Sequence, residues 1–221
     1  MKFWKLIKTK MASTGWAVLR FCGMGPLLLR IHPKSALLAL GWFKSLRIKK
    51  SIDKNFNPIP WWTYPTIAFL QDRLTPNLKV LEFGSGASTL WLCRFALEVI
   101  SIEDNKEWGK YVQSRLPENG TLIITDSYEN FIDAYHSNSK FDIIIIDAGD
   151  RLNIGGKIVH LLSDDGVIIW DNTDGPDWTQ IKNLLSLHNF LEISFQGMIA
   201  QEIAISRTTI FYRKMNNCLG I

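Results

Sequence analysis

The chain has little cysteine, and none of it is spaced as a metal site or a disulfide framework. Its 221 residues include three cysteines, Cys22, Cys93 and Cys218, with no CxxC sequence and no paired histidines. An odd, widely spaced set argues against a disulfide scaffold and a zinc site and is typical of thiols in a reducing compartment. With 47% hydrophobic and 21% charged residues, the composition is that of one globular domain.

The sequence also lacks an uninterrupted apolar run long enough to cross a membrane. The best stretch, residues 11–29, has Arg20 at its centre and also contains Pro26 and three glycines. A central arginine costs roughly 2.5–3.5 kcal/mol on insertion, and the uncharged runs beside it are too short to span alone. The same arginine interrupts the apolar core that a signal peptide needs. The sequence therefore predicts a cytoplasmic protein.

Acidic residues are absent from the first 50 positions, which carry eleven of the 25 lysines and arginines. The remaining 14 bases face 21 acids, so residues 51–221 have a net charge of −7. Tryptophans among the leader's bases suit a peripheral contact with a membrane surface. A helical extension with a solvated basic face, packed on the domain, is the favoured alternative. We predict a basic helical extension over residues 1–54 and a domain over residues 55–221.

Short apolar runs alternate with amphipathic stretches after residue 60. The runs predict strands at 79–83, 99–102, 122–124, 141–146 and 166–170, with helices near 88–95, 105–115, 128–137, 151–163 and 176–188. This alternation is typical of βαβ units and predicts an α/β fold with a doubly wound, mostly parallel sheet. Runs at 191–195 and 208–212 have no helix between them and predict an antiparallel hairpin that closes the sheet.

A glycine turn follows the first predicted strand, in the sequence Glu82-Phe83-Gly84-Ser85-Gly86-Ala87-Ser88-Thr89. Gly84 permits a tight turn, Gly86 allows a ligand to approach the backbone, and Ser88 or Thr89 can cap the next helix. The second strand ends in Glu103, a position that suits a carboxylate bonded to ribose hydroxyls. Together these features predict a nucleoside-type cofactor at the carboxyl ends of the strands.

NAD is the obvious competing cofactor. The dinucleotide fingerprint requires a third glycine three residues after Gly86, and Thr89 occupies that position. The chain is also too short for a second nucleotide-binding half. An NAD-linked oxidoreductase is therefore the weaker alternative.

The sequence VLEFGSGAST resembles the first motif of class I S-adenosylmethionine-dependent methyltransferases, and the resemblance covers about residues 58–213. It implies a seven-stranded Rossmann-like sheet with an antiparallel last strand. It also implies cofactor contacts from the glycine turn, the second and third strand ends and the fourth strand. Those candidate residues are Glu82, Gly84, Ser85, Gly86, Ser88, Glu103, Asp104, Asp126, Ser127 and Asp147.

The segments IIIDAGDR and GVIIWDNTD resemble the fourth and fifth strand motifs that face the substrate in this family. We assign Asp147, Asp171 and Asn172 as candidate catalytic residues that orient or deprotonate the acceptor. They also resemble the oxygen ligands of cation-dependent O-methyltransferases, which implies a candidate Mg²⁺ site. Those enzymes have a lysine where this chain has Asp150, so direct orientation by Asp147 is an equal alternative.

The resemblance implies methyl transfer from S-adenosylmethionine to an oxygen or nitrogen nucleophile of a small-molecule acceptor, with no nucleic-acid partner. A non-catalytic binding module of the same fold at a membrane surface is the alternative from another class of protein. Trp61, Trp62 and Tyr64 are candidates either for a wall of the cofactor pocket or for ordinary core packing.

Overall fold

A seven-stranded sheet forms the centre of the molecule in the computed structural model, which describes residues 14–18, 21–23, 29–30, 32, 34–135, 139–149 and 151–221. The strands are β1 (Lys79–Phe83), β2 (Glu98–Glu103), β3 (Gly120–Ile124), β4 (Phe141–Ile146), β5 (Leu162–Trp170), β6 (Leu191–Met198) and β7 (Ile205–Tyr212). Their order is β3-β2-β1-β4-β5-β7-β6. Strands β1 to β5 are parallel, and β7 lies antiparallel between β5 and β6. The predicted fold class and terminal hairpin are confirmed.

Helices occupy the connections between the parallel strands. From residue 36 onward the helices are α1 (Ala36–Leu40), α2 (Trp42–Ile48), α3 (Tyr64–Gln71), α4 (Ala87–Leu92), α5 (Lys106–Gln113), α6 (Tyr128–Ala134), α7 (Arg151–Lys157) and α8 (Trp178–Ser186), with a 3₁₀ turn at Ile158–Leu161. Thr63, Asn105 and Ser127 cap α3, α5 and α6 by accepting a hydrogen bond from a backbone N–H in the first turn. Such caps satisfy donors that the helix itself leaves open, so they mark where each helix begins.

The central strands are buried on both faces because the connecting helices cover both sides of the sheet. Alternate residues of β4 pack into opposite clusters: Ile143 and Ile145 on one face, Ile144 and Ile146 on the other. This two-residue period is the ordinary alternation of a strand, and it explains why four isoleucines follow one another. The sheet is thereby held rigid beneath the loops at its carboxyl edge.

The end of the predicted extension packs against this core. Trp42 belongs to the cluster on one face of the sheet, and its indole N–H donates to the carbonyl of Glu202 at 2.9 Å. Ser51 donates to the carbonyl of Pro60 at 3.0 Å. The division at residue 54 stays a prediction, and residues 1–13, with four of the leader's bases, lie outside the described residues. Within the described ranges, no helix has the length and apolar character needed to cross a membrane.

Candidate active site

The glycine turn after β1 lies directly against the end of β4. Gly84 has a φ of +94°, and a Cβ atom placed on it would lie 2.5 Å from the carbonyl oxygen of Asp147. Glycine is therefore required both for the left-handed backbone and for the close approach. The backbone N–H of Asp147 donates to the carbonyl of Phe83 at 2.9 Å, which joins the two strand ends.

Glu82 lies beneath this turn. Its side chain is fully buried, and Oε2 accepts hydrogen bonds from Thr89 at 2.6 Å and from Ser101 at 2.7 Å. Thr89 in turn accepts from the backbone N–H of Gly86 at 2.9 Å. Burial raises the pKa of Glu82 to about 7, although neighbouring hydroxyls act in the opposite direction. The hydrogen bonds of Glu82 and Thr89 therefore stabilise the conformation of the glycine turn.

Glu103, the candidate ribose-binding residue, is buried at the end of β2. Its carboxylate accepts from the Ser85 hydroxyl at 2.6 Å and from the Asn105 backbone N–H at 3.0 Å. The Trp108 indole N–H donates to the Ser85 carbonyl at 2.8 Å, so its ring covers the turn. Sequence reasoning missed Trp108, although its position one turn into a helix that follows the candidate ribose acid was a usable signal.

The remaining candidate cofactor-binding residues at the carboxyl ends of β2 and β3 are less buried than Glu103. Asp104 and Asp126 are exposed, and the Ser127 side chain caps α6. Asp104 approaches Tyr128, whose pKa is raised by burial first and by the acidic residues second. These side chains are at the ends of β2 and β3, where the resemblance places contacts with the nucleoside.

Asp147 and Asp171 end the neighbouring strands β4 and β5. The indole N–H of Trp62 donates to Asp147 Oδ2 at 3.1 Å, and the Thr208 hydroxyl donates to Asp171 Oδ1 at 2.6 Å. Burial raises the pKa of Asp147, against the effect of the Arg151 charge. Burial, followed by the charge of Asp147, raises the pKa of Asp171 well above its usual range. The pair combines a partly exposed carboxyl group with one that is 2% exposed.

A guanidinium group occupies the space between the proposed magnesium ligands. Nη2 of Arg151 donates to Asp147 Oδ1 at 3.1 Å and to Asn172 Oδ1 at 2.7 Å. The ranges of the chain that the structure describes contain no group of three or more His, Cys, Asp or Glu able to hold a metal ion. Because a resident cation already bonds these oxygens, the residues do not fit Mg²⁺, and the magnesium hypothesis is not supported. Asp150 lies outside the described residues.

A cavity of about 700 Å³ opens beside the glycine turn, and we call it the N-terminal cavity. Residues 48–52 with Phe56 and Pro58 form one part of its wall, and residues of α4 and α5 form another part. Of the predicted site residues, it brings together Gly86, Ser88 and Asp147. Trp61 lines it as well, whereas Trp62 and Tyr64 are buried. Sequence reasoning did not predict that residues 48–52 contribute to a site.

Residues 81–173 match a family model described as a methyltransferase domain. The match runs from β1 to just beyond β5, and it includes the glycine turn, Glu103, Asp147 and Asp171. Comparison with curated protein sequences gives no match.

Solved structures with the same fold include several methyltransferases. An O-methyltransferase from Bacillus cereus, in complex with SAH, superposes with a TM-score of 0.57 at 18% identity, covering 87% of this chain and 97% of that one. TomG from Streptomyces achromogenes, an O-methyltransferase involved in tomaymycin synthesis and in complex with SAM, gives 0.55 at 16%, covering 87% and 96%. An rRNA methylase from Streptococcus thermophilus gives 0.53 at 18%, covering 66% and 92%.

Residues 81–173 are a methyltransferase domain by their family match, and the sheet has the fold of class I methyltransferases. The family match and the shared fold confirm the resemblance to S-adenosylmethionine-dependent methyltransferases that was drawn from the motifs. The neighbours act on chemically different acceptors, so the acceptor must be argued from this chain's own residues.

Proposed function

We propose that the protein transfers the methyl group of S-adenosylmethionine to an oxygen or nitrogen nucleophile of a small molecule bound beside Asp147. The observation that carries this proposal is that Gly86 and Asp147 line one cavity. The turn that resembles the cofactor-binding motif and a partly exposed carboxylate therefore share one chamber. Its volume of about 700 Å³ lies in the range of small-molecule sites.

The turn and the adjoining strand ends offer groups that suit the cofactor. Glu103 accepts hydrogen bonds from Ser85 and Asn105, which would hold its carboxylate in place for the ribose hydroxyls that the resemblance assigns to it. Asp126 and Ser127 follow β3, and the resemblance assigns them to the adenine. The bound cofactor supplies an electrophilic methyl group on a sulfonium. Positioning the nucleophile in line with that methyl accounts for much of the rate.

Asp147 is the residue that we assign to the acceptor. It is partly exposed and lines the cavity, so its carboxylate can accept a hydrogen bond from the nucleophile or take its proton. Trp62 and Arg151 hold the carboxylate in place. Asp171 is buried at the end of the neighbouring strand. We assign Asp171 and Asn172 to positioning, because Asn172 accepts a hydrogen bond from Arg151 and Asp171 accepts one from Thr208.

The two alternative functions, an NAD-linked oxidoreductase and a non-catalytic binding module, have less support. Thr89 stands where an NAD site needs its third glycine, and its hydroxyl is used by Glu82 and Gly86. A non-catalytic module would not need two neighbouring carboxyl groups with raised pKa, one of them partly exposed to the cavity, next to the glycine turn.

Calorimetry against S-adenosylhomocysteine and NADH tests the proposal. We expect the protein to bind S-adenosylhomocysteine and not NADH. Glu103→Ala should weaken it by about 1.5–3 kcal/mol, the contribution of hydrogen bonds to a charged group. Asp104→Ala is the matched control at the exposed neighbouring position, where a smaller effect is expected. Equal affinity in the Glu103→Ala and native proteins would remove the ribose assignment.

Transfer of label from S-adenosylmethionine to a cell extract tests the catalytic assignment. We expect Asp147→Asn to abolish this transfer.

A further inference from the structure

Four large aromatic side chains that face solvent in part are gathered in the N-terminal cavity. Phe56, Trp61, Trp108 and Tyr111 line it, and their exposed fractions are 56%, 47%, 44% and 42%. Single exposed aromatic residues are ordinary on a protein surface, but several around one concave site are typical of ligand binding. The cavity therefore suits a ligand with an apolar body.

The wall that carries Phe56 is fixed by a local network. The Asp53 carboxylate accepts from the backbone N–H groups of Asn55 and Asn57 at 2.7 and 2.9 Å, and from the Asn57 side-chain amide at 2.9 Å. Phe56 itself has a φ of +68°, and the Lys44 ammonium lies 4.2 Å from its ring centroid. Because these bonds hold the loop, Phe56 is in place before a ligand binds.

The charge of the cavity is positive. Lys49, Lys50 and Arg115 line it, and in the described part of the chain none of them forms an ion pair. Arg115 is held at the wall by donating to the Tyr111 hydroxyl at 2.7 Å. The acid among the lining residues, Asp147, is already paired with Arg151 at 3.1 Å. Three bases thus remain without a carboxylate.

We propose that the methyl acceptor is an amphipathic anion bound in the N-terminal cavity, with its apolar body against the aromatic residues and its anionic group near Lys49, Lys50 and Arg115. The proposal rests on the proposed function and adds the chemical class of the acceptor. Gly86, Ser88 and Asp147 line the same cavity, so a ligand held there would lie beside the glycine turn to which we assign the methyl donor. The competing interpretation is that the three bases bind the carboxylate of the cofactor itself.

A pair of fluorescent probes tests the proposal on the full chain. 8-Anilinonaphthalene-1-sulfonate is anionic, and N-phenyl-1-naphthylamine has the same aromatic body without the charge. We expect the anionic probe to bind more tightly, and to bind equally well when S-adenosylhomocysteine saturates the protein. Trp61→Ala should weaken both probes, because it removes part of the apolar wall. Equal affinity for the two probes, or an unchanged affinity for both in Trp61→Ala, would overturn the proposal.

Charge variants separate the acceptor site from the cofactor site. Lys50→Gln and Arg115→Gln should each weaken the anionic probe roughly two- to five-fold, the range for partly exposed charge pairs, and leave the neutral probe unchanged. Lys110→Gln, which removes a base paired with Glu107 outside the cavity, is the control and should change neither.

S-Adenosylhomocysteine affinity, measured by calorimetry on the same variants, should stay within about two-fold of native. Displacement of the anionic probe by S-adenosylhomocysteine, with weaker cofactor binding in Lys50→Gln and Arg115→Gln, would assign the bases to the cofactor and overturn the proposal. Absence of S-adenosylhomocysteine binding by the native protein would instead contradict the proposed function, so the two failures are distinguishable.

Discussion

Arg151 Nη2 lies 3.1 Å from Asp147 Oδ1, and this contact places a fixed positive charge beside the carboxylate that we assign to the acceptor. Asp147 follows the last residue of β4 and Arg151 is the first residue of α7, so the pair joins the end of the strand to the start of the helix. The same nitrogen also bonds Asn172, which joins the loops after β4 and β5. The guanidinium thereby occupies the position in which the sequence resemblance implied a magnesium ion.

Methyl transfer is therefore expected to be independent of divalent cations. Transfer of labelled methyl groups to a cell extract should be the same with a chelator and with added Mg²⁺. Calorimetry with Mn²⁺ should give the same result for the native protein and for Asp171→Ala. Arg151→Met should lower transfer, because it removes the charge that lowers the pKa of Asp147. Arg151→Lys should keep part of the activity. Loss of activity with chelator and its return with Mg²⁺ would contradict this prediction.

Replacement of Gly84 by alanine should destabilise the protein by about 2–4 kcal/mol, because it combines a left-handed backbone with a contact to Asp147 that is too short. Gly149→Ala is the matched control, since an added Cβ there has no described atom within 4 Å. Urea unfolding of both variants measures the difference. Equal stability of the two variants would show that the turn can shift, against the tight approach described above.

Glu82 should make stability depend on pH. Its pKa is raised by burial from 4.5 to about 7, so the folded state holds the proton more tightly than the unfolded chain does. The stabilisation is present below about pH 4.5 and is lost as the pH rises through about 7, a change on the order of 3 kcal/mol. The free energy of unfolding of the native protein minus that of Glu82→Gln should fall by this amount between pH 4.5 and 8. A constant difference would contradict the prediction.

Two truncated chains test where the domain begins. A chain starting at Asn55 lacks Trp42, which is 6% exposed, and loses the wall formed by residues 48–52. We expect it to be less stable by about 3 kcal/mol or more, as for the loss of a buried tryptophan, and to bind the anionic probe poorly. A chain starting at Ser35 keeps both features and should resemble the full chain. Native stability of the shorter chain would support the division at residue 54.

The sequence by itself determined the order of the elements and the class of fold. The runs at 79–83 and 141–146 form strands with those same limits, because strands buried on both faces are mostly apolar. The glycine turn and the candidate acid Glu103 could also be predicted from the sequence, because each is recognised from its neighbours in the chain. Strand limits and tight turns are determined mainly by short stretches of sequence.

The tertiary structure alone decided how the side chains meet. Trp62 reaches Asp147 across 85 residues, and Arg151 reaches Asn172 across 21. Glu82 belongs to a strand buried on both sides, so its carboxylate lies under the turn and outside the cavity lining. Residues 48–56 form a cavity wall because Trp42 and Ser51 anchor them to the core. These contacts depend on the register of distant strands and on helix packing, which no local pattern of the sequence encodes.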